Sequence, residues 1–546
     1  MKIGSAHTEQ KNLLVAIAII IPMAYFLQLN SYQLLFEEPR RALVALEMIL
    51  SDNWLIPTTN GELYYNKPPL YNWVLIGLMK VFGTAEWVVR LPSVLSVFAT
   101  AFIHFRISRN YISEKAALLS ALFYISSADI LFFFSMLGEI DLFFALIVYL
   151  QCVLIFHFYQ QKKWHWLFIS SYLLASAGVL TKGIPSLFFQ GITLLVIFII
   201  NKDLKRIFSI WHLAGILLLV LTSGGYFYLY SLQHDVEPYL ARLFTETFSR
   251  TVLEKNFTDS FSHIFNFPVM LIKITAPWFL LLGLTFKRNW KVNLRDKPFL
   301  KFCLWFCLAN GVLYLLSPGT RERYLYMFLP FMFVLLADAL DELPESPWFK
   351  RFYLFIGITV IMGLIGIGIF GITLHSILPS IVCILLALII AGGVYKIKFS
   401  NMYAHLLASV LIILLARVGF DLVILPTKKQ TYPYRSDAQK IARLVGDEQL
   451  YLTGPPQAKV DDVKLAGKHF ITFKRDEPAY MVYQTSFYLS KFTGRILKYT
   501  PVQDKPGFYI AEENFIAPEK MKVFYRFNNR SNSQDHWYIL YRTKPL

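Results

Sequence analysis

Charge is scarce in this sequence: Asp, Glu, Lys and Arg make up only 16% of its 546 residues. A soluble chain of this length would divide into several domains with polar faces between the apolar positions, so the shortage excludes that class. Cysteine is scarcer still. The four present, Cys152, Cys303, Cys307 and Cys383, all lie inside apolar runs and read as buried thiols that act as small hydrophobes. No internal repeat or low-complexity tract is found. No small-residue cleavage site follows the first apolar run, 13–26, so this run, preceded by Lys2 and Lys11, reads as a retained signal anchor. Acidic residues are outnumbered, which leaves a net charge of +17. Nucleic-acid binding would need the basic residues on one face; they sit instead in short loops, so no nucleic-acid partner is expected and the charge reports topology.

What the chain has in abundance is apolar residues, 56% of the total, gathered in runs long enough for the ~20 residues that a helix needs to cross a bilayer. Thirteen spans are read, at 13–30, 90–106, 115–134, 140–158, 166–180, 184–200, 211–230, 267–286, 299–316, 324–340, 352–374, 377–394 and 403–425. An odd number puts the termini on opposite sides. With the N-terminus in the cytoplasm, the inner loops collect Arg106, Arg109, Lys162, Lys163, Lys202, Lys205, Arg206, Lys287, Arg288, Lys291, Arg295, Lys297, Lys350, Arg351, Lys396 and Lys398, as cation retention on that side requires. The long loop 31–89, the loop 231–266 and the tail from 426 then lie outside. Within the first loop, 71–82 is apolar but too short to span and is placed at the interface. The tail changes character, with a helical stretch at 436–445 and strand-like runs at 449–453, 508–511 and 537–542. The fold class expected is a polytopic α-helical membrane protein of about thirteen transmembrane helices, residues 1–425, with a soluble α/β domain at 426–546.

Ten charges do not fit this topology: Glu37, Glu38, Arg40, Arg41, Lys67, Glu139, Asp141, Lys182, Arg321 and Arg323. All fall in the first outer loop or near the outer ends of spans. A charge at mid-membrane costs about 2.5–3.5 kcal/mol, so such residues usually line a polar cavity. Pro39 at a first helical position, followed by Leu43, Leu46, Ile49 and Leu50, predicts a helix that starts there and lies along the membrane. Its dipole favours the charged forms of Glu37 and Glu38. Glu38 reads equally well as a capping carboxylate, whereas Glu37 is assigned to chemistry. Lys67, ahead of Pro68 and Pro69 on a stiffened chain, is a held ammonium suited to a phosphate, with a snorkelling interfacial lysine as the alternative. Glu139 and Asp141, two apart at a helix start, point in different directions, so only one need face a cavity. Lys182 and Arg323 sit at turns between spans. Cations converging with carboxylates suit an anionic lipid headgroup and an acceptor that loses a proton.

Together these residues resemble the GT-C membrane glycosyltransferases, and within them the family of the 4-amino-4-deoxy-arabinose lipid A transferases, related to the protein mannosyltransferases. The family's Asp-Glu-x-Arg-Tyr-Ala is similar to Glu37-Glu38-Pro39-Arg40-Arg41-Ala42, with Glu for Asp and Arg41 for Tyr. Its Glu-Lys-Pro-Pro-Leu is similar to Asn66-Lys67-Pro68-Pro69-Leu70, and its Glu-Trp-x-x-Arg-Leu-Pro-Ser to the run from Glu86 through Arg90 to Ser93. Asp141, the Leu180-Thr181-Lys182-Gly183 turn, Arg323, Tyr324 and Pro330, and the tail's Phe487-Tyr488-Leu489 complete the resemblance.

The resemblance implies a GT-C fold in the bacterial inner membrane, with the catalytic face and the C-terminal domain periplasmic. It implies inverting transfer from a polyprenyl-phosphate sugar donor, embedded among membrane lipids, to a lipid A, other glycan or protein acceptor. Glu37 and Asp141 are then catalytic, Lys67, Lys182 and Arg323 bind the donor phosphate, and Glu38, Arg40, Glu139 and Tyr324 bind substrate. Asn66 stands where relatives carry a Glu, which leaves a divalent metal open, with His263 as the nearest candidate ligand; no other cofactor is expected. The chain reads as a monomer. A transporter or flippase of lipid-linked sugars would explain spans and cations without chemistry, but the absence of transporter-like repeats and the large outer loop and tail speak against it. A polymerase joining glycan repeats is a third reading, with a different acceptor.

Overall fold

The computed structural model describes residues 2–248, 257–286, 294–396, 399, 401–431, 433–454, 457–465, 468–477, 483–500, 503, 505–515, 521–531 and 534–543. Four of the inner-loop cations, Lys287, Arg288, Lys291 and Lys398, and part of the second outer loop, 249–256, lie outside these residues.

Apolar runs without a polar stripe can bury their backbone only by becoming helices, because lipid satisfies no hydrogen bond. Each of the thirteen read spans is helical, but among the described residues nine helices are long and apolar enough to cross a membrane, or ten if one bent pair counts as a span. Four of the thirteen differ, each for a local reason. Trp164–Lys182 is diluted by its tryptophans, histidine and serines. Pro185–Ile200 has 16 residues. Leu329–Asp341 has 13, because two short 3-10 turns at Glu322–Tyr324 and Tyr326–Phe328 precede it. The run 267–286 becomes Phe261–Thr275 and Trp278–Thr285, bent by 102° where Pro277 interrupts the chain. Nine of the thirteen read spans, or ten with the bent pair, thus meet the test of length and composition among the described residues.

The helix read from Pro39 spans Glu38–Leu50. It does not lie open along a membrane surface: Ala42, Leu43, Val44 and Ala45 are fully buried. One side packs on Leu70–Phe82 and another on Tyr483–Thr493 from the tail. Leu70–Phe82 buries Tyr71, Leu75, Ile76 and Met79, a spacing that sets one helical face inward. The tail holds a five-stranded sheet in the order β6-β3-β7-β9-β8, where β3 is Leu450–Leu452, β6 Lys498–Tyr499, β7 Phe508–Glu512, β8 Met521–Ser531 and β9 Gln534–Thr543. The read helix 436–445 appears as Tyr434–Val445, and all three strand-like runs fall in β3, β7 and β9.

Two buried ion-pair clusters join the loop, the bundle and the tail. Glu86 accepts hydrogen bonds from Tyr488 Oη at 3.0 Å and Arg435 Nη1 at 3.1 Å. One turn on, Arg90 is fully buried and clamps Glu38, with Nε to Oε1 at 2.8 Å and Nη2 to Oε2 at 3.1 Å. The same guanidinium also donates to the carbonyls of Leu29, Tyr32 and Gln33. These contacts fix the first-loop helix over the ends of the membrane helices.

Candidate active site

Lys67 follows the first-loop hairpin β1–β2 (Thr58–Thr59 and Glu62–Leu63), which Glu47 holds by accepting from Thr58 Oγ1, Asn60 N and Gly61 N. Its carbonyl accepts from Tyr239 Oη at 2.8 Å, so the lysine backbone is tied to the Glu237–Phe248 helix. Lys182 ends the Trp164–Lys182 helix, and Gly183 follows at φ +93°, a left-handed conformation that suits glycine and turns the chain at once into Pro185–Ile200. Glu139 occupies the N-cap position of the Ile140–Gln160 helix without a side-chain capping bond, and Asp141 lies in its first turn. Arg323 and Tyr324 come from the 3-10 turn at Glu322–Tyr324.

These elements enclose a cavity of about 200 Å³. Its lining includes the polar Lys67, Lys182, Glu246 and Tyr324 together with Phe144, Phe188, Phe189, Leu313, Tyr314 and Met327. Lys182 Nζ donates to Asp141 Oδ1 at 2.6 Å and stands 4.3 Å from the centre of the Tyr324 ring. Arg323 Nη1 donates to Glu139 Oε2 at 2.7 Å, and its Nε lies 3.9 Å from Asp141 Oδ2. Glu139 and Asp141 thus both belong to the network, joined through Arg323. Burial, then the Asp141 charge, raises the Glu139 carboxyl above its ordinary range, against the pull of Arg323. Burial lowers the Lys67 ammonium to about 8, with Arg41 and Lys182 adding to the effect and Glu246 opposing it.

Glu37 stands at the N-cap of its helix but makes no capping hydrogen bond; it pairs with Arg40. Its side chain is 40% exposed against 5% for Glu139 and for Asp141, which makes it the most open acid of the set. Arg40 reaches over the Tyr483 ring of the tail at 5.6 Å. Glu38 is not among the groups facing the cavity: it is fully buried, and Arg90, Leu35 N and Gly138 N occupy both its oxygens. With both oxygens taken, Glu38 stands closer to its reading as a capping carboxylate than to the substrate-binding one.

His263 is corrected too. Its Nε2 lies 2.9 Å from the Tyr314 carbonyl, a contact in which the ring donates. Among the described residues no three His, Cys, Asp or Glu side chains are grouped to hold a metal ion. The Asn66 amide oxygen accepts from Arg242 Nε at 3.0 Å, so a guanidinium occupies the place beside Asn66 and a divalent cation would meet like charge. Among the described residues the donor set does not fit a metal.

Sequence reasoning missed Glu246 and Arg242, because 231–266 was read as loop. The signal was there: Tyr239 and Leu243, both buried, are four apart, and so are Arg242 and Glu246, which face each other at 3.8 Å. Arg41, left without a role, donates to Tyr64 Oη at 2.6 Å.

The family of dolichyl-phosphate-mannose-protein mannosyltransferases matches residues 66–226. An undecaprenyl phosphate-α-4-amino-4-deoxy-L-arabinose arabinosyl transferase of Proteus mirabilis is 24% identical over 68% of this chain and 67% of its own. The protein of that name from Shewanella sediminis is 23% identical over 61% of each. The chain spans about half to two thirds of the length of the curated relatives it matches first, from 45% to 67%. The crystal structure of ArnT from Cupriavidus metallidurans bound to undecaprenyl phosphate superposes with a TM-score of 0.69 at 16% identity, covering 96% of this chain and 97% of that one. The chain is therefore a multi-pass membrane protein that shares the GT-C fold of the superposed transferase and is similar in sequence to the aminoarabinose transferases and, over 66–226, to the protein mannosyltransferases.

Proposed function

We propose that this protein is an inverting glycosyltransferase that moves a sugar from a polyprenyl-phosphate donor to a glycolipid, glycan or protein acceptor. The observation that carries the reading is the cavity itself: two lysines in one lining with aromatic and aliphatic side chains, beside a carboxylate network. A lipid phosphate needs that combination, because its chain calls for an apolar wall and its headgroup for fixed cations. The curated relatives named for undecaprenyl phosphate and the superposed structure that binds it support the same reading.

In the proposed step the acceptor oxygen attacks the anomeric carbon, the bond from that carbon to the phosphate oxygen breaks, and the electron pair leaves with the polyprenyl phosphate. Lys67 and Lys182 stabilise the charge that gathers on those oxygens, a contribution that is often the largest in such transfers. No general acid is then required. Glu37, the open carboxylate, takes the proton of a hydroxyl acceptor, while Arg323, held by Glu139 and Asp141, and Tyr324 position substrate. With a phosphate monoester as acceptor no base is needed, and Glu37 only orients it. The site is assigned to the periplasmic face of the bacterial inner membrane.

The test uses purified protein in detergent with an undecaprenyl-phosphate sugar. Wild-type protein releases free undecaprenyl phosphate in an acceptor-dependent way. Glu37→Gln slows the release to a hydroxyl acceptor by about 10²–10⁴-fold with donor binding nearly intact. Donor consumption by wild type with no lipid phosphate released, or wild-type turnover by the variant, counts against the enzyme and the base respectively.

A further inference from the structure

Within the cavity, the carboxylate of Glu246 is paired with the ammonium of Lys67. An acidic side chain therefore occupies the position on Lys67 that a phosphate oxygen of the donor would take. The Glu237–Phe248 helix that carries Glu246 is fixed to the lysine's own backbone, through Tyr239 Oη to the Lys67 carbonyl at 2.8 Å. The helix need not move for the pair to open. One turn before Glu246, Arg242 stands 3.8 Å from its carboxylate and is anchored on Asn66 at 3.0 Å. Glu246 thus has two cations within reach, one that faces the donor site and one held aside.

From this arrangement, and resting on the donor-phosphate reading of the cavity, we infer that Glu246 is a resident counter-ion that the donor's phosphate displaces from Lys67. Binding is then an exchange of one anion for another. The phosphodiester of a lipid-linked sugar carries one negative charge, as does the carboxylate it replaces, and Glu246 stays paired with Arg242 when it swings aside. The exchange keeps Lys67 from being buried without a counter-charge between donor cycles, a state that would be costly beside Lys182 and Arg41. It also acts on the product: Glu246 competes with the departing polyprenyl phosphate for Lys67 and so favours its release. A donor linked through one phosphate matches this exchange in charge, whereas a diphosphate-linked donor brings more negative charge than the site gives up.

A carboxylate that merely held Lys67 in position would show the opposite behaviour when neutralised. The test measures the affinity of the full chain in detergent for undecaprenyl phosphate, with undecaprenol as the uncharged control, for wild type, Glu246→Gln, Glu246→Ala and Lys67→Ala, each checked for an unchanged thermal transition. Removal of the competing charge makes Glu246→Gln and Glu246→Ala bind undecaprenyl phosphate about tenfold more tightly, the effect of losing one partly buried charge contact. Undecaprenol binding stays the same, and turnover falls as product release slows. Lys67→Ala combined with Glu246→Gln abolishes the gain. If wild type prefers undecaprenyl phosphate to undecaprenol but Glu246→Gln binds it equally or more weakly, the counter-ion role is overturned and the donor site stands. If wild type does not distinguish the two lipids, the donor-phosphate reading falls, and the inference falls with it.

Discussion

A lysine proposed to hold a phosphate inside a membrane protein faces two opposing demands. Burial lowers Lys67 to about 8, yet only its charged form attracts the donor. The sign follows directly: below about pH 8 the ammonium is present, and above it the proton is lost, so kcat/KM for the donor, which reports the free enzyme, falls as pH rises from 7 to 9. Lys67→Arg keeps its charge throughout that range, so its profile is flat over the same interval, although its planar fork recovers only part of the wild-type rate. An alkaline limb unchanged in Lys67→Arg would assign it to another group. Lys67 was legible in the sequence as a cation on the wrong side of the topology. Its partner was not, since Glu246 lies 179 residues further on and only the fold brings it close. Of the adjacent acids Glu37 and Glu38, the sequence could not say which turns inward. That is decided by Arg90, 52 residues beyond Glu38.

At the scale of elements, the helix Glu38–Leu50 was legible to within a residue because Pro39 fixes a first turn and the apolar positions recur at helical spacing. Its surroundings were not legible, because the segment that covers it, Tyr483–Thr493, comes from the far end of the chain. The sequence motif at 86–93 was recognisable as a pattern, yet its work is mechanical: Glu86 holds the tail and Arg90 holds Glu38. Gly138 completes the clamp. Its N–H donates to Glu38 Oε1 at 2.7 Å, and a Cβ there would sit 2.6 Å from the Val89 carbonyl oxygen. Removing one member of a buried pair strands the other charge, at a cost of about 3–5 kcal/mol. Glu38→Gln and Arg90→Met are therefore expected to lower the thermal transition strongly, while the Glu38→Gln protein that does fold keeps its affinity for undecaprenyl phosphate. Loss of affinity at unchanged thermal stability would return Glu38 to the binding site.

For the molecule as a whole, two of the four read spans that miss the length test do so beside the cavity. Pro185–Ile200 is about 24 Å long at 1.5 Å per residue, short of a ~30 Å hydrocarbon core. Its first turns, Pro185, Phe188 and Phe189, line the cavity. The 3-10 turns ahead of Leu329–Asp341 shorten that helix in the same way, with Tyr324 and Met327 on the cavity. Helices shortened beside a cavity fall below a test of length and hydropathy, so that test alone does not count the spans. The direction of the chain can then be followed. The first loop, the Glu237–Phe248 helix and the tail meet on one face, through Tyr239 to Lys67, Tyr499 N to the Asn60 carbonyl, and Tyr488 to Glu86. The helices that leave this face end at Arg106 and Arg109, at Lys162 and Lys163, and at Lys202 and Lys205, on the opposite side. The proposed orientation rests on cation retention, which assigns those ends to the cytoplasm and the face with Lys67 and Glu37 to the periplasm. A reporter that works only in the cytoplasm should be silent when fused after Leu546 and active when fused after Lys205, and a periplasm-only reporter should give the reverse. Cytoplasmic activity after Leu546 would turn the whole molecule over. The donor cavity would then open to the side where the basic loops had been placed, and the cation bias would need a cause other than topology.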